Sequence, residues 1–206
     1  MSETDQARFS LLRHSGLLEP EARASFQRFA RLASSLLHMP TALITLLDEN
    51  RQVFLSQCGM SEPWQSRCET PLEYSYCQSL LLEPGPLVVE DSLKDQRFRD
   101  HPGRQKLSIG AYAGVPLRVN NLVLGALCVI DSQGHKFDQT HLDLLNDLAD
   151  SVVSEIRLRL TAQALEHSQA HLTALLHQAP LGVFELCDQT GTVRHGNPMA
   201  GRMLGH

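Results

Sequence analysis

The sequence predicts an α+β domain in which an antiparallel β-sheet follows a first helix and precedes a long last helix. Three observations predict this fold class. Apolar residues recur at three- and four-residue spacing in residues 26–37, two pairs of β-favouring runs are each joined by a short polar turn, and no proline or glycine interrupts residues 138–179. The 206 residues allow one ordinary domain and a substantial extra piece.

The first helix presents one apolar stripe to a core. Pro20 suits its first turn and Pro40 ends it. The stripe consists of Phe26, Phe29, Ala30, Ala33, Leu36 and Leu37. Residues 41–47 (TALITLL) and 52–58 then have the composition of two strands joined by a polar turn, so the sequence predicts a β-hairpin.

The segment after this hairpin has the composition of irregular structure. Residues 59–71 (GMSEPWQSRCETP) carry the glycine, prolines and serines of a long loop, a length that compact domains usually keep for function. The chain's one tryptophan, Trp64, lies in this loop. A short apolar helix is predicted over residues 72–82, and a strand over 87–89 follows a Pro-Gly-Pro turn.

A second hairpin follows the polar residues 94–106. Residues 109–119 and 122–130 are rich in Val, Ile, Leu and Tyr, which fits the buried centre of a sheet. Asn120-Asn121 joins them, and asparagine tolerates the positive φ that a tight hairpin turn requires.

The long last helix, over residues 138–178, has two halves with different patterns. The first half carries a dense apolar stripe at three- and four-residue spacing, which predicts packing on a core. In the second half, residues 158–178, leucines spaced by sevens stand among polar residues. This half is either a solvated linker or one strand of a parallel coiled coil, and we favour a homodimer. The residues assigned to this helix contact are Leu158, Leu165, Leu172 and Leu175.

The tail after Pro180 predicts a strand over 181–187, a turn over 188–191, a second short strand and a helix that starts near Asn197. A piece this short does not bury enough apolar surface to fold alone.

Composition excludes several classes of protein. A formal charge of -5 and a pI near 6.0 give no reason to invoke a nucleic-acid or anionic-membrane partner. No apolar run approaches the roughly 20 residues that span a bilayer, and the N-terminus has no signal-peptide pattern, so we expect a cytoplasmic protein. Five cysteines without a CxxC pair predict free thiols and no metal site.

The order of elements and several strings of residues resemble a GAF domain over about residues 26–157. These strings are Tyr76-Cys77, Val89-Glu90-Asp91, Asp95-Gln96-Arg97-Phe98, Tyr112-Ala113-Gly114-Val115-Pro116-Leu117, Leu124-Gly125-Ala126-Leu127-Cys128-Val129-Ile130-Asp131 and Phe137. The tail is similar to the opening of a PAS domain, through Gln178-Ala179-Pro180-Leu181-Gly182-Val183-Phe184, Gly191 and Asn197-Pro198. The predicted organisation is an N-terminal segment (1–19), a GAF domain (20–157), a helical linker (158–178) and a partial PAS domain (179–206).

The resemblance implies a sensory, non-enzymatic regulator with helices on one face of an antiparallel sheet and a pocket under loops on the other. Family members carry effectors such as histidine kinases of two-component systems, diguanylate cyclases and phosphatases, and no such motif occurs in these residues. We expect a homodimer through the first and last helices, which passes a signal along residues 138–178 to the PAS segment and a downstream effector.

A ligand pocket is predicted between the sheet and residues 60–108, although each of its residues equally suits a core. The six candidate lining residues are Phe54, Trp64, Cys77, Phe98, Tyr112 and Cys128. Such pockets are mostly apolar with a few directing polar groups, which identifies neither the ligand nor a cofactor.

Two other functions are weighed against sensing. The first is a ligand-free module for dimerisation and interaction. The second is a thiol-dependent reductase of free methionine sulfoxide that uses Cys77. Its sequence neighbours supply no base or cation to activate the thiol, and Lys106-Leu107-Ser108-Ile109 stand where the resemblance to those reductases requires a later cysteine.

Two kinds of GAF ligand are disfavoured by the residues present. Residues 99–108 contain no cysteine, which excludes covalent attachment of a bilin there. The string His135-Lys136-Phe137-Asp138 is only superficially similar to a cyclic-nucleotide motif, and Asp138 is better explained as the N-cap of the last helix.

Overall fold

A six-stranded antiparallel sheet forms the centre of the chain's first unit, residues 1–158. The computed structural model describes residues 2–82, 85–178, 184–186 and 193–204. The strand order is β3-β2-β1-β6-β5-β4. The strands are β1 (Thr41–Leu47), β2 (Arg51–Cys58), β3 (Glu69–Pro71), β4 (Leu87–Val89), β5 (Ala111–Val119) and β6 (Leu122–Asp131).

Both predicted hairpins are confirmed. β1 pairs with β2, and β5 pairs with β6. In the second hairpin, Asn120 and Asn121 have φ values of 51° and 64°. Both values lie in the left-handed region that a two-residue turn of this kind requires. The register then shifts between Leu117 and Arg118, and this shift places Gly114 opposite Cys128 in the middle of the sheet.

The prediction of a long loop over residues 59–71 is wrong in part, because this segment contains a short helix and a short strand. Helix α3 (Trp64–Arg67) is followed by β3, which adds an edge strand to β2 with Thr70 opposite Gln52. A strand of three residues is too short to carry a readable alternation, so its pairing depends on β2. The helix predicted over 72–82 forms as two 3₁₀ helices, Leu72–Tyr74 and Tyr76–Leu81, and the polar segment contains α4 (Pro102–Lys106).

Helices cover one face of the sheet. Helix α2 (Arg23–Leu36) is the predicted first helix, and it packs on β1 and β2. The long helix is α5 (Gln139–Gln178), which is continuous over 40 residues. Arg28 of α2 and Glu155 of α5 form an ion pair at 3.6 Å, so the two helices are neighbours there. The buried residues of α5 are Leu145, Ala149, Val152, Val153 and Ile156.

An N-terminal helix, α1 (Glu3–His14), was not predicted. Ser2 and Asp5 form a capping box, in which each side chain accepts a hydrogen bond from the other residue's backbone N–H at 3.1 Å. The guanidinium of Arg8 is buried and donates to the carbonyl oxygen of Leu47 at the end of β1. The sequence Ser-Glu-Thr-Asp is the signal that identifies this helix start.

The second unit, residues 159–206, includes the later part of α5, a hairpin of β7 (Phe184–Leu186) and β8 (Val193–Gly196), and α6 (Pro198–Leu204). The strand predicted over 181–187 forms at least over the three residues of β7, and its other residues and the turn over 188–191 lie outside the described residues. Asn197 caps α6, because its Oδ1 accepts from the N–H of Ala200 at 2.9 Å.

Candidate functional site

A buried cluster of mainly apolar side chains lies on the sheet face away from α2. Its members are Leu43, Leu47, Phe54, Met60, Tyr76, Cys77, Leu80, Leu87, Val89, Phe98, Ile109, Tyr112, Ala126, Cys128 and Ile130. Side chains alternate between faces along a strand, so Leu43 and Leu47 enter this cluster while Ile44 points toward α2. We call this set the buried cluster.

Five of the six predicted lining residues belong to the buried cluster. Phe54, Cys77, Phe98, Tyr112 and Cys128 are each at most 3% exposed. The structure therefore brings these five together and packs them against one another. Whether a ligand enters among them stays a prediction.

The sixth predicted residue, Trp64, lies at the margin of the buried cluster and is partly exposed. Its indole Nε1 donates to the carbonyl oxygen of Lys106 at 3.2 Å, and its ring meets Tyr74 edge-on at 5.9 Å. These contacts join α3 to the end of α4. Trp64 also lines a surface cleft of about 270 Å³ with Arg51 and Thr70.

The middle of the buried cluster is aromatic. Tyr76 stacks on Phe98 with ring centroids 4.2 Å apart, and it lies 5.6 Å from the ring of Tyr112. The Tyr76 hydroxyl donates to Ser92 at 3.4 Å. Burial raises the pKa of Tyr76. A methyl group at Gly114 would overlap the Tyr112 hydroxyl, so the absence of a side chain at Gly114 makes room for that ring.

The Cys77 sulfur is a polar centre inside this apolar surrounding. The Tyr112 hydroxyl lies 3.2 Å from it, the Thr45 hydroxyl 3.6 Å, the Gln52 Nε2 3.9 Å and the Cys128 sulfur 4.0 Å. The four groups come from β5, β1, β2 and β6. None of them is a cation, and each of them has a proton to donate.

These contacts separate the acidities of the two thiols. The hydrogen bond between Cys77 and Cys128 lowers the pKa of Cys77 to about 7, and the hydroxyls of Tyr112 and Thr45 also lower it, whereas burial raises it. The hydrogen bond to Cys77 and burial raise the pKa of Cys128 well above its usual value. The pair therefore carries its first negative charge on Cys77.

Two buried side-chain oxygens on the strands beside this centre have no hydrogen-bond partner within the described part of the chain. They are Gln52 Oε1 and Thr70 Oγ1. Gln52 and Thr70 are directly opposite on β2 and β3, and the Gln52 amide also contacts the Cys77 sulfur. Ser75, two residues before Cys77, forms a side-chain hydrogen bond with Cys77. Buried polar atoms without a partner are uncommon, so the Gln52–Thr70 pair distinguishes this part of the cluster.

The sequence prediction missed Thr45, Gln52, Thr70 and Ser75. Thr45 interrupts the otherwise apolar run of β1, which is a weak signal that its hydroxyl forms a buried hydrogen bond. The other three carry no such signal, because their partners are set by β2–β3 pairing and by the 3₁₀ helix. Within the described ranges, no group of three or more His, Cys, Asp or Glu side chains is arranged to hold a metal ion.

The later part of α5 exposes the leucines predicted for a helix contact. Leu158 is 67% exposed, and Leu165, Leu172 and Leu175 are each more than half exposed. Leu176 is also exposed, and the sequence prediction did not include it. No helix in the described ranges is long and apolar enough to cross a membrane.

The fold is that of an α+β domain with helices on one face of an antiparallel sheet and a covered apolar cluster on the other. The GAF domain family model matches residues 21–156. The chain belongs to the GAF domain family.

Comparison with known proteins supports the same assignment. The chain is 37% identical over 133 residues to a cyclic di-GMP phosphodiesterase of Pseudomonas aeruginosa, which covers 64% of this chain and 22% of that protein. The match therefore spans about a fifth of the relative's length.

Two solved structures have the same fold. The blue-light-absorbing form of the PixJ GAF domain of Thermosynechococcus elongatus has a TM-score of 0.58 at 15% identity, covering 77% of this chain and 96% of that one. A type II free methionine-R-sulfoxide reductase from Thermoplasma acidophilum has a TM-score of 0.54 at 15% identity, covering 68% and 94%. At this identity the likeness concerns the fold alone.

Proposed function

We propose that this chain is a non-enzymatic sensory input domain of a bacterial signalling protein. It dimerises through helices α2 and α5, and binding of a small molecule among the residues of the buried cluster changes the geometry of α5. The change passes along the linker, residues 158–178, to a PAS segment at 179–206 and to a downstream effector.

The observation that carries the proposal is the continuity of α5. Its first part is buried at Leu145, Val152 and Ile156, and its later part exposes Leu158, Leu165 and Leu172 at seven-residue spacing. A change in the first part therefore reaches the second without a break in the helix. A ligand shifts such an equilibrium only by its difference in affinity for two states, and about 1.4 kcal/mol gives a tenfold shift.

The identity of the curated relative suggests the output to test first. Because that relative is a cyclic di-GMP phosphodiesterase, we propose that the effector governed by this domain acts on cyclic di-GMP turnover. The assay is phosphodiesterase or cyclase activity of the full-length protein with and without substitutions in the linker.

Dimerisation is tested by light scattering coupled to size-exclusion chromatography of the 206-residue chain. Leu165→Glu and Leu172→Glu are each expected to raise the dimer dissociation constant more than tenfold, because a buried leucine contributes about 1.5–3 kcal/mol and a two-fold axis uses it twice. Leu93→Glu is the matched control, since Leu93 is 59% exposed outside the long helix. A monomer at high concentration for the unmodified chain would contradict the proposal.

A second candidate function is a ligand-free dimerisation module. It is favoured by the close burial of Phe54, Cys77, Phe98, Tyr112 and Cys128. Native mass spectrometry of protein purified from its own cells separates the two functions, because a bound small molecule supports sensing and repeated absence of one supports the module. Turnover of free methionine sulfoxide that is lost in Cys77→Ser would refute the non-enzymatic assignment.

A further inference from the structure

We propose that Cys77 and Cys128 form an oxidation site in which a small uncharged peroxide converts the two thiols into an intramolecular disulfide. The peroxide reaches them along Thr70 and Gln52, which are paired on β3 and β2 and have buried oxygens without a hydrogen-bond partner in the described part of the chain. The role of this oxidation as a signal to the dimer rests on the proposed function. The oxidation itself is measured directly on this chain.

The two sulfurs already face each other. They lie 4.0 Å apart, and both residues are at most 1% exposed. A disulfide requires about 2 Å, so the sulfurs must approach by roughly 2 Å. Cys128 is fixed in the middle of β6 between β1 and β5. Cys77 lies on the 3₁₀ helix Tyr76–Leu81, whose hydrogen bonds have poorer geometry than those of the sheet, so this side moves.

Cys77 is the attacking thiol. Thiolates, not thiols, are the nucleophiles, and the groups around this sulfur stabilise the thiolate by hydrogen bonding without any cation. The hydrogen bonds with Cys128, Tyr112 and Thr45 lower the pKa of Cys77, so the thiolate of the pair forms on this sulfur. Cys128, whose pKa is raised, keeps its proton and is the resolving thiol.

The surroundings select the oxidant. The unpartnered atoms Gln52 Oε1 and Thr70 Oγ1 accept or donate hydrogen bonds but carry no charge. Hydrogen peroxide, which is neutral and both donates and accepts, matches them. Thr70 also lines the surface cleft beside Trp64, and its strand partner Gln52 contacts the Cys77 sulfur, so this line of residues is the route inward.

The reaction balances with one peroxide as oxidant. The Cys77 thiolate attacks one peroxide oxygen, the O–O bond breaks, and the departing hydroxide takes a proton to become water. Cys77 is then a sulfenic acid. The Cys128 sulfur attacks the Cys77 sulfur, the S–O bond breaks, and the oxygen leaves as water with the Cys128 proton. The two sulfurs lose two electrons together, and the peroxide gains them.

The test uses the 206-residue chain with Cys58, Cys68 and Cys187 replaced by serine, so that only the two thiols of the site remain. The chain is treated with hydrogen peroxide, and the products are mapped by non-reducing peptide mass spectrometry and by thiol counting after denaturation. We expect a cross-link between the peptides of Cys77 and Cys128 and loss of both thiols. If the triple variant does not fold, differential alkylation of the unmodified chain detects the same cross-link.

Two comparisons test the mechanism. Glutathione disulfide, which is large and charged, is expected to react more than tenfold more slowly than peroxide, because it does not fit the route past Thr70. Thr70→Val is expected to slow the peroxide reaction about fivefold by removing one hydrogen bond. Ser56→Ala is the matched control, since the Ser56 hydroxyl is also buried and unpartnered in the described part of the chain, and Ser56 pairs with Ile44.

Recovery of both thiols after peroxide, or sulfinic acid on Cys77 without a cross-link, would overturn the oxidation site. Equal rates for Thr70→Val and unmodified chain would overturn the assigned route. Either result leaves dimerisation through the helices untouched. A monomeric chain that still forms the disulfide would instead contradict only the transmission of the signal.

Discussion

Replacement of Tyr112 by phenylalanine tests the electrostatic description of the thiol pair. The Tyr112 hydroxyl lies 3.2 Å from the Cys77 sulfur and is one of the groups that lower the pKa of Cys77 to about 7. Hydrogen bonds to charged groups contribute about 1.5–3 kcal/mol, and we take a value near 1.4 kcal/mol because sulfur is a weak acceptor. This equals about one pKa unit, so the pKa of Cys77 is expected to rise by about one unit in Tyr112→Phe and the thiolate fraction at neutral pH to fall.

The assay is titration of thiolate ultraviolet absorbance in the chain that retains only Cys77 and Cys128, with the spectrum of the Cys77→Ser variant subtracted. Tyr76→Phe is the matched control, because Tyr76 lies in the same aromatic group while its hydroxyl bonds to Ser92 and not to the sulfur. An unchanged midpoint in Tyr112→Phe, or an equal shift in Tyr76→Phe, would refute the assignment.

Three further predictions concern stability. Folding lowers the pKa of Cys77 from its ordinary value of 9.0 to about 7, so its contribution to stability grows between pH 7 and pH 9 and is lost as the pH falls through 7, whereas the raised pKa of Cys128 opposes it above pH 9. Cys77→Ser should flatten the rise between pH 7 and pH 9 in the stability profile measured by urea unfolding. Ser2→Ala removes the cap that Asp5 completes and should lower the free energy of unfolding by about 1 kcal/mol. Gly59→Ala should cost at least about 2 kcal/mol, since φ is +77° and the new Cβ overlaps the Pro40 carbonyl oxygen; an unchanged urea midpoint would contradict it.

The regular elements were predictable because their signals are local. The apolar spacing of the first helix and the Asn120-Asn121 turn each specify structure within a few residues, and both are confirmed. β3 was not predictable in this way, because three residues containing a proline become a strand only through pairing with β2. α1 was missed although its capping sequence, Ser-Glu-Thr-Asp, is local.

The sequence analysis named five of the fifteen members of the buried cluster as lining residues, and it named neither Thr45 nor Gln52 among the polar groups around Cys77. The strand residues that contact the Cys77 sulfur are 25 to 51 residues away along the chain. The sequence neighbours of Cys77 supply no base or cation. The fold instead gathers hydroxyl, amide and thiol groups from four strands, a result that depends on strand order and register and not on any local pattern.

The N-terminal helix has a practical consequence for dissecting this protein. Homology to the family begins at residue 21, yet Leu12 and Leu17 are almost wholly enclosed, and Arg8 ties the helix to the last carbonyl of a central strand. A fragment that began at residue 21 would lack Leu12 and Leu17 and would expose the apolar side chains that these residues cover. The folded unit therefore includes residues before position 21, where the match to the family begins.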